Sequence, residues 1–271
     1  MLRKLMKYEF KATKRIMLPA IIVLFLISIF NGVFFGVIEP HISKNNIFVN
    51  LFGGVGMTAY VLGIIGIFII SGLLALFRFY KSDLSNEGYL THTLPVTISK
   101  EILSKIIIGT FWIVVTGIVV MFSIFVILMV SGALNITDID WTSFKEVINA
   151  IFTEEGGLAF IAIIYVIIII ILGCSSKILN VYASMAIGFS AKKNKILCSF
   201  GAYMVLSLIL TVITTVAGMV LSNPLKAMMS TLSNAAAFHL LFIGVILYIL
   251  ILNAAYFFIT KYMMENRLNL E

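Results

Sequence analysis

Six long apolar runs restrict what this chain can fold into more than any other feature of its sequence. A transmembrane helix needs about 20 mostly apolar residues, because each residue adds only about 1.5 Å to its length. Runs of that length predict spans at 17–38, 50–79, 106–131, 158–177, 196–221 and 239–260. Hydrophobic residues make up 61% of the 271 residues and charged residues 11%, which is too little polar surface for a water-soluble enzyme. The sequence therefore predicts an all-α membrane protein with six transmembrane helices.

The distribution of basic residues predicts the orientation of these spans. If the N-terminus lies inside, the inner segments hold 16 of the 19 Lys and Arg residues, and the outer segments keep only Lys44, Lys145 and Lys226. Inner loops of membrane proteins carry such an excess of positive charge. We therefore expect a multi-pass protein of the plasma (inner) membrane with both termini in the cytoplasm. The net charge of +7 then reflects orientation and anionic lipid head groups rather than nucleic-acid binding.

Segments beside the spans show helical patterns that suit a membrane surface. Within residues 1–16 the apolar side chains of Leu2, Leu5, Met6 and Phe10 share one helical face. This pattern predicts an N-terminal amphipathic interfacial helix ahead of a six-helix transmembrane domain over 17–271. On the outer side, an apolar stripe predicts a short helix over 141–152, and Asn223-Pro224 predicts the start of another.

Small residues gather at the start of the second predicted span, at Gly53, Gly54, Gly56, Ala59 and Gly63. Such residues allow two helices to approach closely. The pattern fits packing within one chain and a dimer face equally well.

The sequence lacks the residue patterns of several functional classes. No Asp or Glu lies inside a predicted span, whereas proton- and sodium-driven carriers usually have an intramembrane carboxylate. The histidines, cysteines and serines form no H-E-x-x-H, paired-Cys or G-x-S-x-G motif, and residues 53–58 lack the lysine of a phosphate-binding loop. We expect no catalytic site, no metal site and no cofactor in this chain, which is therefore not predicted to be an enzyme.

The inner loop predicted at 80–105 carries the most informative sequence. Acidic, aromatic and histidine side chains are mixed there with Leu84, Leu90 and Leu94, and Gly88 and Pro95 mark breaks around a short element. A structured loop with this composition either meets a partner or folds against its own spans. The residues alone leave both alternatives open.

Three stretches resemble one known family, the ABC-2 type permeases of Gram-positive bacteria. They are Met6–Lys11, the run from Arg78 to Lys81 that continues through Asn86–Val96 to Leu103–Lys105, and Val181–Gly188. Length and topology are similar over the whole chain. Within the family, the small six-span subunits of exporters of amphipathic cytolytic peptides (phenol-soluble modulin exporters) are similar in size and plan.

The resemblance implies a fold, partners and contact residues. The fold would be of the ABC-2 (type V exporter) kind, and the chain would pair with separate ABC ATPase subunits, which hold the ATP and Mg²⁺, and with a second permease subunit, identical or paralogous. The inner loop would supply the helix that docks on the ATPase, at Asp83, Glu87, Gly88, Tyr89, Leu90, Thr91, His92, Thr93, Leu94 and Pro95. A second inner contact would lie at Tyr182, Lys192 and Lys193.

The expected function is thus the permease subunit of an ABC exporter for amphipathic peptides. Two alternatives belong to other classes. One is an immunity or sensing subunit that recruits an ATPase without transporting anything. The other is an ion-coupled carrier, which the absence of carboxylates from the predicted spans disfavours.

Overall fold

The computed structural model describes residues 2–38, 47–84, 97–132, 142, 145–146, 157–191, 193–231 and 233–267. The described residues form six long helices and no strand: α1 (Leu2–Val33), α2 (Ile47–Phe79), α3 (Ile98–Val130), α4 (Gly157–Gly188), α5 (Lys195–Thr231) and α6 (Asn234–Asn266). Short π-helical turns extend α1 over Phe34–Ile38 and α2 over Tyr80–Leu84. The outer helix predicted over 141–152 lies outside the described residues, except for Thr142, Lys145 and Glu146, which are helical.

Each of the six helices is long and apolar enough to cross a membrane, which confirms the predicted all-α membrane class. Their apolar side chains point mainly outward. Not one residue in the most apolar 18-residue window of α5 is buried, and in α1 only 28% are. Such surfaces are stable only against lipid or another apolar protein surface, because contact with water would cost free energy over their whole apolar area. The protein is a multi-pass membrane protein.

The helices pack as two groups of three. In the first group α1 contacts α2 and α3, and α2 contacts α3; in the second, α4 lies against both α5 and α6. Contacts of α4 with α2 and α3, and of α6 with α3, join the two groups. The largest buried apolar cluster sits at this junction and includes Phe79, Ile102, Tyr182 and Tyr256.

The N-terminal segment differs from its prediction. Residues 2–16 are the first half of α1 rather than a separate interfacial helix, and the helix continues through Pro19. The reason lies in the face that is buried: Glu9, Thr13 and Met17 follow at helical spacing and point into the bundle. Phe10, expected to face lipid, stacks on the Trp112 ring of α3 at a centroid distance of 5.4 Å.

Several other predicted boundaries also fall inside helices. The loop expected at 80–105 is helical at both ends, because α2 and its π-turn reach Leu84 and α3 starts at Ile98. The helix α4 runs past Lys177 without interruption. Pro224 lies inside α5 and does not begin a new helix. Membrane helices tolerate proline because neighbouring groups can satisfy the backbone carbonyl that it frees.

The small residues at the start of α2 serve mainly packing within the chain. A Cβ atom at Gly56 would lie 2.8 Å from Asn31 Oδ1 of α1, so a larger residue there would force the Asn31 side chain to move. The close approach lets Asn31 Nδ2 donate a hydrogen bond of 3.0 Å to the Gly56 carbonyl. Gly53 and Gly63 also face α1, whereas Gly54 faces open space.

Candidate functional site

Five charged residues meet inside one end of the bundle and form what we call the ion cluster: Glu9, Arg78, Asp83, Glu101 and Lys105. They come from the start of α1, the end of α2 and the start of α3. All except Arg78 are buried. The cluster thus lies between the first three helices at the end of the molecule where α2 ends in its π-turn and α3 begins.

Local helix geometry explains how these side chains converge. Glu101 and Lys105 are four residues apart, and such residues share one face of an α-helix. Arg78 and Asp83 are five residues apart, with Arg78 in the last turn of α2 and Asp83 within the π-helical turn that extends it. Hydrogen bonds in a π-turn run from residue i to i+5, which widens the turn and brings residues at this spacing onto one side.

Lys105 is the centre of the cluster. Its Nζ lies 3.2 Å from Asp83 Oδ1, 3.1 Å from Glu101 Oε1 and 3.9 Å from Glu9 Oε1. The other oxygen of Glu9 accepts a hydrogen bond of 2.8 Å from Arg78 Nε. Glu9 therefore bridges the two cations and links α1 to both α2 and α3.

Apart from Arg78, whose side chain is 31% exposed, the ion cluster is almost completely removed from solvent. The side chains of Asp83 and Lys105 are 0% and 3% exposed, and that of Glu101 is 8% exposed. Burial strengthens the attraction between opposite charges but also removes their hydration, so a buried pair adds little net stability. Removing one partner is different, because it leaves an uncompensated charge in the interior.

Neutral hydrogen bonds support the cluster from the membrane side. Trp112 Nε1 donates to Thr13 Oγ1 at 2.7 Å, and Thr13 Oγ1 in turn donates to the Glu9 carbonyl at 2.9 Å. Tyr182 of α4 donates from its hydroxyl to the Ala75 carbonyl at 3.1 Å, while its ring stacks on Phe79 at 4.1 Å. These contacts fix α1 and α4 against the helices that carry the cluster.

Thr13→Val should lower the free energy of unfolding by about 1–3 kcal/mol, because the shape is kept while the buried Trp112 N–H loses its acceptor. The measurement is unfolding of the purified chain in detergent micelles. Thr211→Val is the matched control, since Thr211 is exposed and its hydroxyl bonds only to the Ser207 carbonyl of its own helix. Equal effects of the two substitutions would contradict the assigned role of Thr13.

The cavity beside the cluster is too small for a solute. It is lined by Glu9, Arg78, Lys105, Trp112 and Tyr182, among others, and has a volume of about 10 Å³. This is on the order of the space that one water molecule requires. The ion cluster in this state is therefore a junction between helices rather than a solute-binding site.

The structure changes the interpretation of several residues that the sequence singled out. Asp83, expected on a loop that faces a partner, is buried in the π-turn and paired with Lys105. Tyr182, expected at a second contact, is also fully buried. Only Lys193 of these three is exposed. The remaining predicted contact residues lie outside the described part of the chain: Glu87, Gly88, Tyr89, Leu90, Thr91, His92, Thr93, Leu94, Pro95 and Lys192.

Sequence reasoning missed Glu9, Glu101 and Lys105 as members of a site. Each stands at the polar edge of an apolar run, where charged residues are usually solvated. The spacing of Glu101 and Lys105 indicated a pair on one helical face, but nothing indicated that Glu9 and Asp83 would join it. The predicted spans contain no carboxylate, but the helices extend beyond those spans, and Glu9, Asp83 and Glu101 are buried in the extensions.

Among the described residues, no group of three or more His, Cys, Asp or Glu side chains is placed to hold a metal ion. Comparison of the chain with family models, with curated proteins and with solved structures finds no match in any of the three. Membership of the ABC-2 permease family, which the sequence resemblance implies, therefore stays a prediction.

Proposed function

We propose that this chain is the membrane-spanning subunit of an ABC-type exporter, and that it works with separate ATPase subunits and a second permease subunit. Its substrate class is an amphipathic, membrane-partitioned molecule such as a peptide. The observation that carries the proposal is that one buried ion cluster joins the end of α2 and the start of α3, which flank residues 85–96 in the sequence, to α1. The sequence of that segment resembles the ATPase-docking loop of ABC-2 permeases.

The ion cluster connects the helix ends on either side of this loop to α1, so that a movement of the loop can reach the bundle. Asp83 precedes the loop, Glu101 and Lys105 follow it, and Glu9 lies on α1. A displacement of the loop by an ATPase would therefore move the ends of three helices together rather than bend one linker. Packed helices respond to such a displacement by sliding or tilting as units.

The surface of the bundle favours a lipid-partitioned substrate over a polar solute. A groove of about 260 Å³ opens between α2, the end of α4 and the start of α5. Its lining is almost wholly apolar, with Leu73, Phe77, Met185, Phe189 and Ile196 among the residues that form it. Such a lining suits the apolar face of an amphipathic molecule and offers few partners to a charged one.

The first experiment tests association. The purified chain alone should hydrolyse no ATP, because its sequence contains no phosphate-binding loop. Co-expressed in turn with the ABC ATPases of its own organism, it should co-purify with one of them as a stable complex that hydrolyses ATP. Failure of the intact chain to bind any such ATPase would overturn the proposal.

Glu9→Gln should lower the ATP hydrolysis rate that substrate stimulates in that complex by about tenfold, a change of about 1.4 kcal/mol. The substitution removes the charge that binds Arg78 and Lys105 to α1, yet it leaves the loop sequence intact. Glu265→Gln is the matched control, because Glu265 pairs only with Lys261 on the exposed surface of α6. Equal hydrolysis rates for the two variants would contradict transmission through the cluster.

A second candidate function, an ion-coupled carrier, gains support from the buried carboxylates of Glu9, Asp83 and Glu101. Buried ionisable groups in membrane helices often mark ion or proton pathways. The two functions are separated by reconstituting the chain alone in liposomes. Substrate uptake driven by a pH or sodium gradient, without any ATPase, would favour the carrier.

A further inference from the structure

The buried ion cluster is not balanced in charge. It contains three carboxyl groups, Glu9, Asp83 and Glu101, but only two cations, Arg78 and Lys105. Among the described residues, Tyr182 of α4 also packs beside the cluster, and its hydroxyl donates to the Ala75 carbonyl; Lys81 lies in the same π-turn as Asp83, but its side chain is exposed. If every carboxyl group were ionised, one negative charge would be left over inside the protein. A buried charge without a counter-charge is strongly unfavourable.

The surroundings of Asp83 indicate which carboxyl groups would carry the excess negative charge. Its side chain is fully buried, and its Oδ2 has no hydrogen-bond partner among the described residues. Asp83 Oδ1 and Glu101 Oε1 both contact the same Lys105 ammonium, so they are no farther apart than the sum of those two short distances. Both carboxyl groups therefore depend on one ammonium group for their counter-charge. Two carboxylates that share one site do not both ionise readily.

We infer that the ion cluster binds one proton, which the Asp83 and Glu101 carboxyl groups share. One proton there leaves two negative charges against two positive ones. The segment 85–96 contains no Lys or Arg, so His92 is the one side chain there that could bring a rival positive charge. This inference concerns the folded chain itself and does not depend on the proposed transport function.

The shared proton makes the stability of the buried cluster depend on pH. We call the cluster closed when it is buried and opened when water reaches its carboxyl groups. In the closed state the cluster holds one proton more than it does when water reaches both carboxyl groups, which ionise in water above about pH 4. The closed state is therefore favoured as pH falls and loses stability as pH rises. For one proton, the equilibrium constant between the closed and opened states changes about tenfold per pH unit. This dependence extends upward from about pH 4 to the pH at which the closed cluster itself loses its proton.

Infrared spectroscopy of the intact chain in lipid vesicles tests the inference directly. At neutral pH the spectrum should contain the carbonyl band of one protonated carboxylic acid, and the band should shift when aspartate and glutamate are labelled with ¹³C. The band should vanish in Asp83→Asn, because the remaining two carboxylates then balance the two cations. It should persist in His92→Gln, which removes the rival positive charge, and in Glu265→Gln, which removes an exposed carboxylate. Absence of an acid band from the parent would overturn the inference. An acid band that is absent from the parent and present in His92→Gln would show that His92 supplies the balancing charge.

Unfolding measurements provide a second test. Asp83→Asn replaces a protonated carboxyl group by a neutral amide of the same shape, so the unfolding midpoint at neutral pH should stay within the range of the Glu265→Gln control. The unfolding equilibrium constant should change about tenfold per pH unit in that control, and this dependence should disappear in Asp83→Asn. An Asp83→Asn protein that unfolds as readily as one lacking Lys105 would show that Asp83 is ionised, and the inference would fall.

Discussion

Replacing Lys105 by methionine is expected to lower the free energy of unfolding by about 3–5 kcal/mol. Methionine keeps the length and the apolar part of the side chain, so packing changes little. The substitution removes the ammonium group that Asp83 and Glu101 both bind, and it leaves these carboxyl groups buried with no cation within contact distance on α3. Only Arg78 then remains in the cluster, and its bond is to Glu9. The measurement is equilibrium unfolding of the purified chain in mixed micelles, followed by circular dichroism.

Lys261→Met is the matched control for this prediction. Lys261 also pairs with a carboxylate four residues away, Glu265, but the two side chains are 36% and 42% exposed. Exposed pairs of this kind contribute about 0–1 kcal/mol, because water screens both charges. If Lys105→Met were no more destabilising than Lys261→Met, the ion cluster would have no structural role.

The number and placement of the helices could be predicted from sequence because the bilayer sets a simple requirement. A span needs a long apolar run, and the six runs are unmistakable, which is why each predicted span lies within a described helix or overlaps one. The ends of the helices could not be predicted in the same way. Residues 2–16 and 80–84 are helical although they are rich in charge. Glu9, Thr13 and Asp83 find partners in neighbouring helices, while the basic side chains of residues 2–16 are exposed.

The ion cluster was beyond sequence reasoning for a related reason. Glu9, Arg78 and Lys105 are far apart in the chain, and each stands where a solvated charge at a span boundary is the usual reading. Only the packing of α1 between α2 and α3 brings them together. The π-turn at Tyr80–Leu84 adds a change of register that no periodic pattern indicated, and it is this turn that places Asp83 in the interior.

The position of the cluster at the edge of the apolar region gives its charges a particular consequence. Near the centre of a bilayer, a charged side chain costs several kcal/mol, and partner charges or water must compensate it. At a helix end, a small movement is enough to bring water to the same groups. The closed cluster and a hydrated, opened one are therefore two accessible arrangements of the same residues, and both a loop displacement and a proton can shift the balance between them.

Gly188→Ala tests the contact between α4 and α5, and we expect a loss of about 3 kcal/mol in the free energy of unfolding. Gly188 is the last residue of α4, and a Cβ atom there would overlap the backbone and side chain of Ser199 near the start of α5. Because backbone atoms block the space, a rotamer change cannot relieve the overlap, and α4 and α5 must separate. This would also widen the apolar groove, since Phe189 and Ser199 both line it.

Gly173→Ala is the matched control within the same helix, because no atom lies within 4 Å of the position a Cβ would take there. Alanine favours the helix over glycine by about 0.8–1.0 kcal/mol, so this variant should be as stable as the parent or more stable. If Gly188→Ala lowers the free energy of unfolding and Gly173→Ala raises it under the same micelle conditions, Gly188 is required for close packing of α4 on α5. A stabilising Gly188→Ala would instead show that the two helices are free to move apart at this contact.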